Sequence, residues 1–127
     1  MLMVFDTMLV LVIYGFPGSP PDARAGLGTL ISSLRIAIKD IYAPDLESDN
    51  VKIHFPEPHE GELNNGLSCY MSWSPEPKYY RSQPQLADLL HVTVRSILKK
   101  FVDNNYVLKK KFGDKIIVCT PGYRPEV

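Results

Sequence analysis

Residues 82–119 read SQPQLADLLHVTVRSILKKFVDNNYVLKKKFGDKIIVC, and two incompatible folds can be drawn from them. One is a single amphipathic helix that begins at Ser82-Gln83-Pro84-Gln85, runs to about Val102 or Asp103, and is followed by a lysine-rich turn and a strand. The other is a helix-turn-helix with a wing. Both use the same apolar side chains, which recur at the three- and four-residue spacing of a helix face: Leu86, Leu90, Val94, Ile97 and Phe101.

The second fold implies a winged helix-turn-helix DNA-binding protein that uses residues 82–119. The helix would break near His91, and Tyr106 to Cys119 would form the wing. The DNA contacts would come from the second helix and the wing: Arg95, Ser96, Lys99, Lys100, Lys109, Lys110 and Lys111. The balance of 14 Lys and Arg against 14 Asp and Glu counts against this interpretation, because phosphate binding is favoured by net positive charge.

The part of the chain that ends at Pro58 predicts a strand, a helix and a second strand. The run from Met8 to Tyr14 is apolar without a break, which is typical of a central strand. Ser19-Pro20-Pro21-Asp22 has the form of a helix cap, and an apolar stripe continues from there to Pro44. Gly26 and Gly28 would then lie inside the helix and allow it to approach the sheet closely. The next strand is predicted at Val51–Phe55.

The rest of the chain predicts a similar set of elements. Leu67–Trp73 reads as a strand, residues 82–103 as a helix, and Lys115–Cys119 as the last strand. Asn104-Asn105 is expected to end the helix in a left-handed conformation. Between these residues and the last strand, Tyr106–Phe112 is expected to form half of a hairpin or a loop.

The two halves of the chain align without a gap when Ser19 is placed on Ser82, which also places Leu27 on Leu90 and Leu34 on Ile97. We therefore predict one domain, residues 1–127, with an internal repeat at approximately 8–58 and 66–123. The predicted fold is an α/β (α+β) two-layer sandwich, in which duplicated β-α-β units form a four-stranded mixed sheet with both helices on one face. The other face of such a sheet needs a cover, so self-association is expected.

Tandem β-α-β halves of this length resemble the tautomerase superfamily in its macrophage migration inhibitory factor-like form. Pro21-Asp22-Ala23-Arg24 at the helix start and the strand ending in Pro56 carry the resemblance, which spans roughly Leu9 to Pro121. It implies a trimer and small-molecule isomerase chemistry on an amino-terminal proline. This sequence has no proline before Pro17 and heads its first strand with Asp6-Thr7-Met8, so the chemistry is an open question and the chain is equally interpreted as a catalytically silent relative. A ferredoxin-like structural or interaction module has the same element order and is the second alternative.

No residue can be assigned as catalytic from sequence. Lys78 and Arg81 precede the second helix, and Arg24 lies in the first turn of the other, where an anionic substrate would meet free backbone amides. The histidines and cysteines lack metal-ligand spacing, and we predict no metal and no cofactor. Cys69 and Cys119 fall in predicted strands and are expected to be reduced, which together with the absence of a bilayer-length apolar segment predicts a cytoplasmic protein without a membrane partner.

Overall fold

The computed structural model describes residues 8–15, 26–42, 46, 50–56, 66–74 and 84–120. The elements in this part of the chain are β1 (Met8–Tyr14), α1 (Leu27–Tyr42), β2 (Val51–His54), β3 (Leu67–Ser74), α2 (Pro84–Asp103), α3 (Tyr106–Phe112) and β4 (Ile116–Cys119). None of the described helices combines the length and apolarity that crossing a bilayer requires.

The four strands form one mixed sheet in the order β2-β1-β3-β4. β1 pairs with β2 in parallel, β3 pairs with β4 in parallel, and the antiparallel pair β1–β3 joins the two units at the centre. The predicted sheet is confirmed. The ferredoxin-like alternative is wrong, because in that fold another strand separates the two strands of a β-α-β unit, whereas here they are direct neighbours.

The core lies between the sheet and the two long helices. Strand residues alternate between faces, so Leu9, Leu11 and Ile13 of β1 are fully buried on the same side. The helices meet them with residues three and four apart, among them Leu34 of α1 and Leu98 of α2. The predicted two-layer arrangement with both helices on one face is therefore confirmed.

Helix α2 runs without a break from Pro84 to Asp103. His91, the position proposed as a turn, lies inside this helix, and its imidazole Nδ1 lies 2.8 Å from the Ala87 carbonyl oxygen one turn earlier. Buried residues continue on one stripe past this point, at Val94 and Leu98. The helix-turn-helix interpretation is therefore wrong.

Residues Tyr106–Phe112 form the short helix α3, where a hairpin or a loop was expected. Asn105 is responsible, because a side-chain oxygen at a helix start can accept from the first free amides. Its oxygen Oδ1 lies 3.1 Å from the amide nitrogen of Val107. The same oxygen lies 3.2 Å from the amide nitrogen of Leu108. The backbone of Asn105 is extended at φ −115°, so it caps the start of α3 and does not end α2 in a left-handed turn.

Helix α1 is described from Leu27, and the predicted cap at residues 19–22 lies outside the described residues. Gly26 has φ +80° and forms a turn before the helix, so it is not an interior helix residue. A Cβ on Gly26 would lie 3.5 Å from the Phe101 ring of α2, whereas one on Gly28 would meet nothing within 4 Å. Gly26 therefore lies at an ordinary contact distance from α2, and neither glycine makes the predicted close approach to the sheet.

The two β-α-β units differ in the spacing of their paired strands. Leu9 pairs with Val51 in the first unit, and Leu67 pairs with Ile116 in the second. The separation along the chain between paired residues is greater in the second unit by seven residues, which is the length of α3. Leu34 is fully buried, whereas Ile97, its partner in the sequence alignment, is only partly buried. The duplication itself stays a prediction.

Candidate functional site: the open face of the sheet

One face of the sheet is left without a covering element among the described residues. On β1 the residues between the buried ones point to this face, and they are apolar: Val10 and Val12 are half-buried and Tyr14 is exposed. An ordinary solvent-facing strand would carry polar residues at these positions. The apolar run that predicted a central strand therefore has a cover on one face only within the described chain.

Aromatic and aliphatic side chains extend this apolar surface across β3 and β4. The rings of Tyr14 and Tyr70 meet edge to face, with ring centroids 5.6 Å apart and planes inclined by 76°. Tyr70 is 49% exposed, and Ile117 on β4 is 58% exposed. Strand pairing brings these side chains together on one face. Tyr70 of β3 lies opposite Val12 of β1. Ser68 of β3 lies between Tyr14 of β1 and Ile117 of β4. We call Val10, Val12, Tyr14, Tyr70 and Ile117 the open-face patch.

Polar residues surround the open-face patch. Lys52 and His54 project from the edge strand β2, opposite Val10 and Val12, and both are exposed. On the same face of β3, Ser72 and Ser74 lie toward the end where β1 begins, and Ser68 lies within the patch, between Tyr14 and Ile117. An apolar centre with a polar rim is the usual composition of a protein–protein interface.

The end of the sheet where β1 begins is packed with aromatic residues. Met8 lies opposite Ser74, and Leu9 lies opposite Trp73. The Trp73 ring contacts that of Tyr42 at the end of α1, with centroids 5.0 Å apart. The residues that precede Met8 lie outside the described residues.

A histidine–threonine pair holds the residue that follows β4 against α2. His91 Nε2 lies 2.9 Å from the Thr120 hydroxyl, while its Nδ1 faces the Ala87 carbonyl. Because a carbonyl can only accept, Nδ1 carries the proton of the neutral ring and Nε2 accepts from Thr120. Burial lowers the pKa of His91, and the Ala87 carbonyl and Asp88 oppose this with smaller effects. The pair is a structural link in its neutral form.

The two cysteines lie on opposite faces of the sheet, and both are free. Cys69 belongs to the core, where burial, followed by the nearby Cys119, raises its pKa to about 12. Cys119 is half-buried beside Tyr70 on the open face. Neither combines with other side chains into a metal site: within the described residues no three His, Cys, Asp or Glu converge.

The anion-binding candidates Lys78, Arg81 and Arg24 lie outside the described residues. The residues of the DNA-binding alternative are described, except for the side chain of Lys111, and they lie on α2 and α3: Arg95, Ser96, Lys99, Lys100, Lys109 and Lys110.

Several of these cations gather around the carboxylate of Asp114. Lys99 Nζ lies 2.6 Å from Asp103 and 2.8 Å from Asp114. The bond from Lys99 lowers the pKa of Asp114, and Arg95 and Lys109 add smaller effects. The cluster thus ties α2 to the turn before β4, and Lys99 is already engaged by two carboxylates.

Sequence patterns did not identify Tyr70 as part of this face, nor did they reveal the contact between His91 and Thr120. The alternation in Leu67–Ser74 was the available signal for Tyr70, since residues two apart share a face. The contact between His91 and Thr120 joins residues far apart in the chain, and no local pattern announces it.

No family model and no curated protein matches this sequence. Solved structures do resemble it. The macrophage migration inhibitory factor of Toxoplasma gondii is 7% identical, with a TM-score of 0.53 over 91% of this chain and 90% of that one. A 5-carboxymethyl-2-hydroxymuconate delta-isomerase is 12% identical, with a TM-score of 0.52 over 97% and 89% of the two chains. A fused 4-OT asymmetric trimer is 14% identical, with a TM-score of 0.52 over 92% and 91%. Identities this low bear on the fold alone, and the predicted resemblance in fold is confirmed.

Proposed function

We propose that this chain, which has the fold of the tautomerase superfamily, self-associates through the open-face patch, with a trimer as the favoured assembly. The observation that carries the proposal is the position of the patch on the two central strands, where Val10, Val12 and Tyr70 stay accessible although the strand pairing is complete. Burying apolar surface is favourable by about 25 cal/mol per Å² removed from water, so the faces of three copies that converge on a threefold axis would cover one another. One structure of similar fold is described as a trimer.

The assembly is tested by multi-angle light scattering on the wild-type chain and two lysine variants. Tyr70→Lys places a charge in the patch and is expected to give monomers, because the ammonium would have to be buried without a partner. Ile36→Lys is the matched control, since Ile36 is 62% exposed on α1, in the helix layer on the other side of the sheet. A monomeric wild type, or an unchanged mass for Tyr70→Lys, would refute the proposal.

We also propose that any small-molecule isomerase activity does not use the proline amine of the superfamily. The sequence has no proline before Pro17, so β1 is not headed by a secondary amine that serves as a base near neutral pH. The chain then acts as a catalytically silent relative, or as an isomerase with a different base.

Ketonisation of phenylpyruvate or of a 2-hydroxydienoate, followed by ultraviolet absorbance, separates these two forms of the proposal. We expect the wild-type chain to accelerate ketonisation no more than an equal concentration of the Tyr70→Lys variant, in which the assembly is broken. Acceleration by the wild type alone would support the isomerase form and would place its site at the interface between subunits.

A further inference from the structure

A groove opens on the helix layer, between the amino end of α1 and the carboxyl end of α2. Its volume is about 340 Å³, at the small end of the range for ligand sites. It lies far from the end of the sheet where β1 begins, because α1 extends from Thr29 in the groove to Tyr42 beside Trp73. At about 1.5 Å per residue this separation is about 20 Å.

The floor and one wall of the groove are apolar. Leu30 of α1 is buried, and Ile97 and Phe101 of α2 are partly buried against the core. The Phe101 ring packs against the core and lies beside Gly26. A flat apolar or aromatic group can therefore pack on the accessible part of this ring.

Polar side chains line the rim on both helices. Thr29 and Ser33 lie one turn apart on α1, and Lys100 and Asn104 lie one turn apart at the end of α2, so each pair shares a face. The two hydroxyls, the amide and the ammonium are all hydrogen-bond donors. A ligand between the helices can be held by donors from both sides.

Lys100 differs from its neighbour Lys99 in its ion-pair partners. Lys99 is engaged by Asp103 and Asp114, whereas Lys100 has no carboxylate partner within the part of the chain that the structure describes. Residues 95–115 form a basic stretch with seven Lys and Arg against two Asp. Within it, Arg95, Lys99 and Lys109 gather around Asp114, whereas Lys100 lines the groove. A cation of this kind beside an apolar floor favours an anion that also has an apolar part.

We propose that this groove binds a small planar organic carboxylate, with the carboxylate between Lys100 and the rim donors and the apolar body on Phe101 and Ile97. The site goes beyond the proposed assembly, because it lies on the helix layer and stays accessible when the open-face patch is covered. The charge of Lys100 favours an anionic head group, and the Phe101 ring favours a planar body. Neutral analogues and inorganic anions should therefore bind less well.

The test is a titration of the ¹⁵N-labelled full chain with benzoate, with benzamide and inorganic phosphate as matched probes. We expect benzoate to shift amides of residues 29–33 and 97–104 and to bind about fivefold more tightly than benzamide, the upper end of the scale for one exposed ion pair. It should also bind more tightly than phosphate, which lacks an apolar body. Lys100→Met should lose that factor. Lys110→Met should not, although it removes an exposed lysine from the same basic stretch.

Each contrary result has a distinct meaning. Equal affinity for benzamide would show that Lys100 does not select charge, and the proposal would fail. Shifts spread over residues 95–115 and equal for phosphate and benzoate would show unspecific anion binding, which also refutes the site. Because the readout is local and none of these variants touches the sheet, the result is independent of whether the chain forms trimers.

Discussion

The two faces of the sheet are made by the same strands and have opposite roles. On the helix side, Leu11 and Met71 are fully buried, and the chain supplies its own cover. On the other side, their neighbours Val12 and Tyr70 are also apolar or aromatic but have no cover from the described helices. An apolar strand residue thus stabilises either the fold or an assembly, depending only on whether its position in the strand is odd or even.

The largest difference between the faces is expected in the free energy of unfolding, when adjacent residues of β1 are replaced by alanine. Leu11→Ala should lower the free energy of unfolding by about 2–5 kcal/mol, because it leaves a cavity between sheet and helices. Val12→Ala should lower the free energy of unfolding of a single, unassociated chain by about 1 kcal/mol or less. Urea denaturation at two protein concentrations measures both effects.

The same experiment distinguishes fold from assembly. Wild-type stability should rise with protein concentration, since association favours the folded state, and Val12→Ala should weaken this dependence more than Leu11→Ala. Equal losses for the two variants at low concentration would contradict the assignment of faces.

Alkylation of the two cysteines compares the faces chemically. At pH 8 a thiol with a pKa of about 12, such as that of Cys69, is ionised to about one part in ten thousand, and it is also buried. Cys119 on the open face should therefore react with iodoacetamide first, as measured by mass spectrometry of peptides. If the face is an interface, the rate at Cys119 should fall as the protein concentration rises, and Cys119→Ser should abolish the fast phase.

A smaller effect on stability is expected when the pH is lowered, because the His91–Thr120 pair depends on a neutral imidazole. Because burial lowers the pKa of His91 below its usual value of 6.5, the unfolded chain takes up a proton first as the pH falls. The contribution of this histidine to stability is thus complete above that value and decreases as the pH drops through it. His91→Gln should have a flatter profile than wild type in thermal denaturation, and parallel profiles would show that the imidazole stays neutral in both states.

The smallest effect on stability is expected from removing the Lys99–Asp114 salt bridge, because Asp114 is exposed. Asp114→Asn should lower the urea midpoint slightly at low salt and not at high salt, since salt screens exposed charges. The pKa of Asp114 is lowered, so its contribution is present above the usual pKa of aspartate and is lost in acid. A large shift that persists in high salt would mean that the bridge is more than a surface contact.

The strands and the long helices followed from local pattern. Continuous apolarity located Met8–Tyr14 at the bounds that the structure has, and the stripe from Leu86 onward gave α2 to within a few residues. Such patterns repeat several times along an element, so a single unfavourable residue does not hide them. The fold class was predictable for the same reason.

Features that depend on one residue or on distant contacts were not predictable. Asn105 suits either end of a helix, and only the amides of Val107 and Leu108 decide that it starts α3. The helix groove joins residues from the two halves of the chain, such as Thr29 and Lys100, and the separation of Tyr70 from the core side required the strand pairing. The sequence proposed the cations Lys99 and Lys100 as equivalent, and only their neighbours distinguish them.

The strand order also bears on how the polypeptide tolerates being divided. Each half keeps its own parallel ladder and its own long helix, and the halves are joined in the sheet by the single antiparallel border between β1 and β3. A nick between β2 and β3 would therefore cut neither ladder, and two separately expressed fragments should reconstitute the fold by pairing along that border.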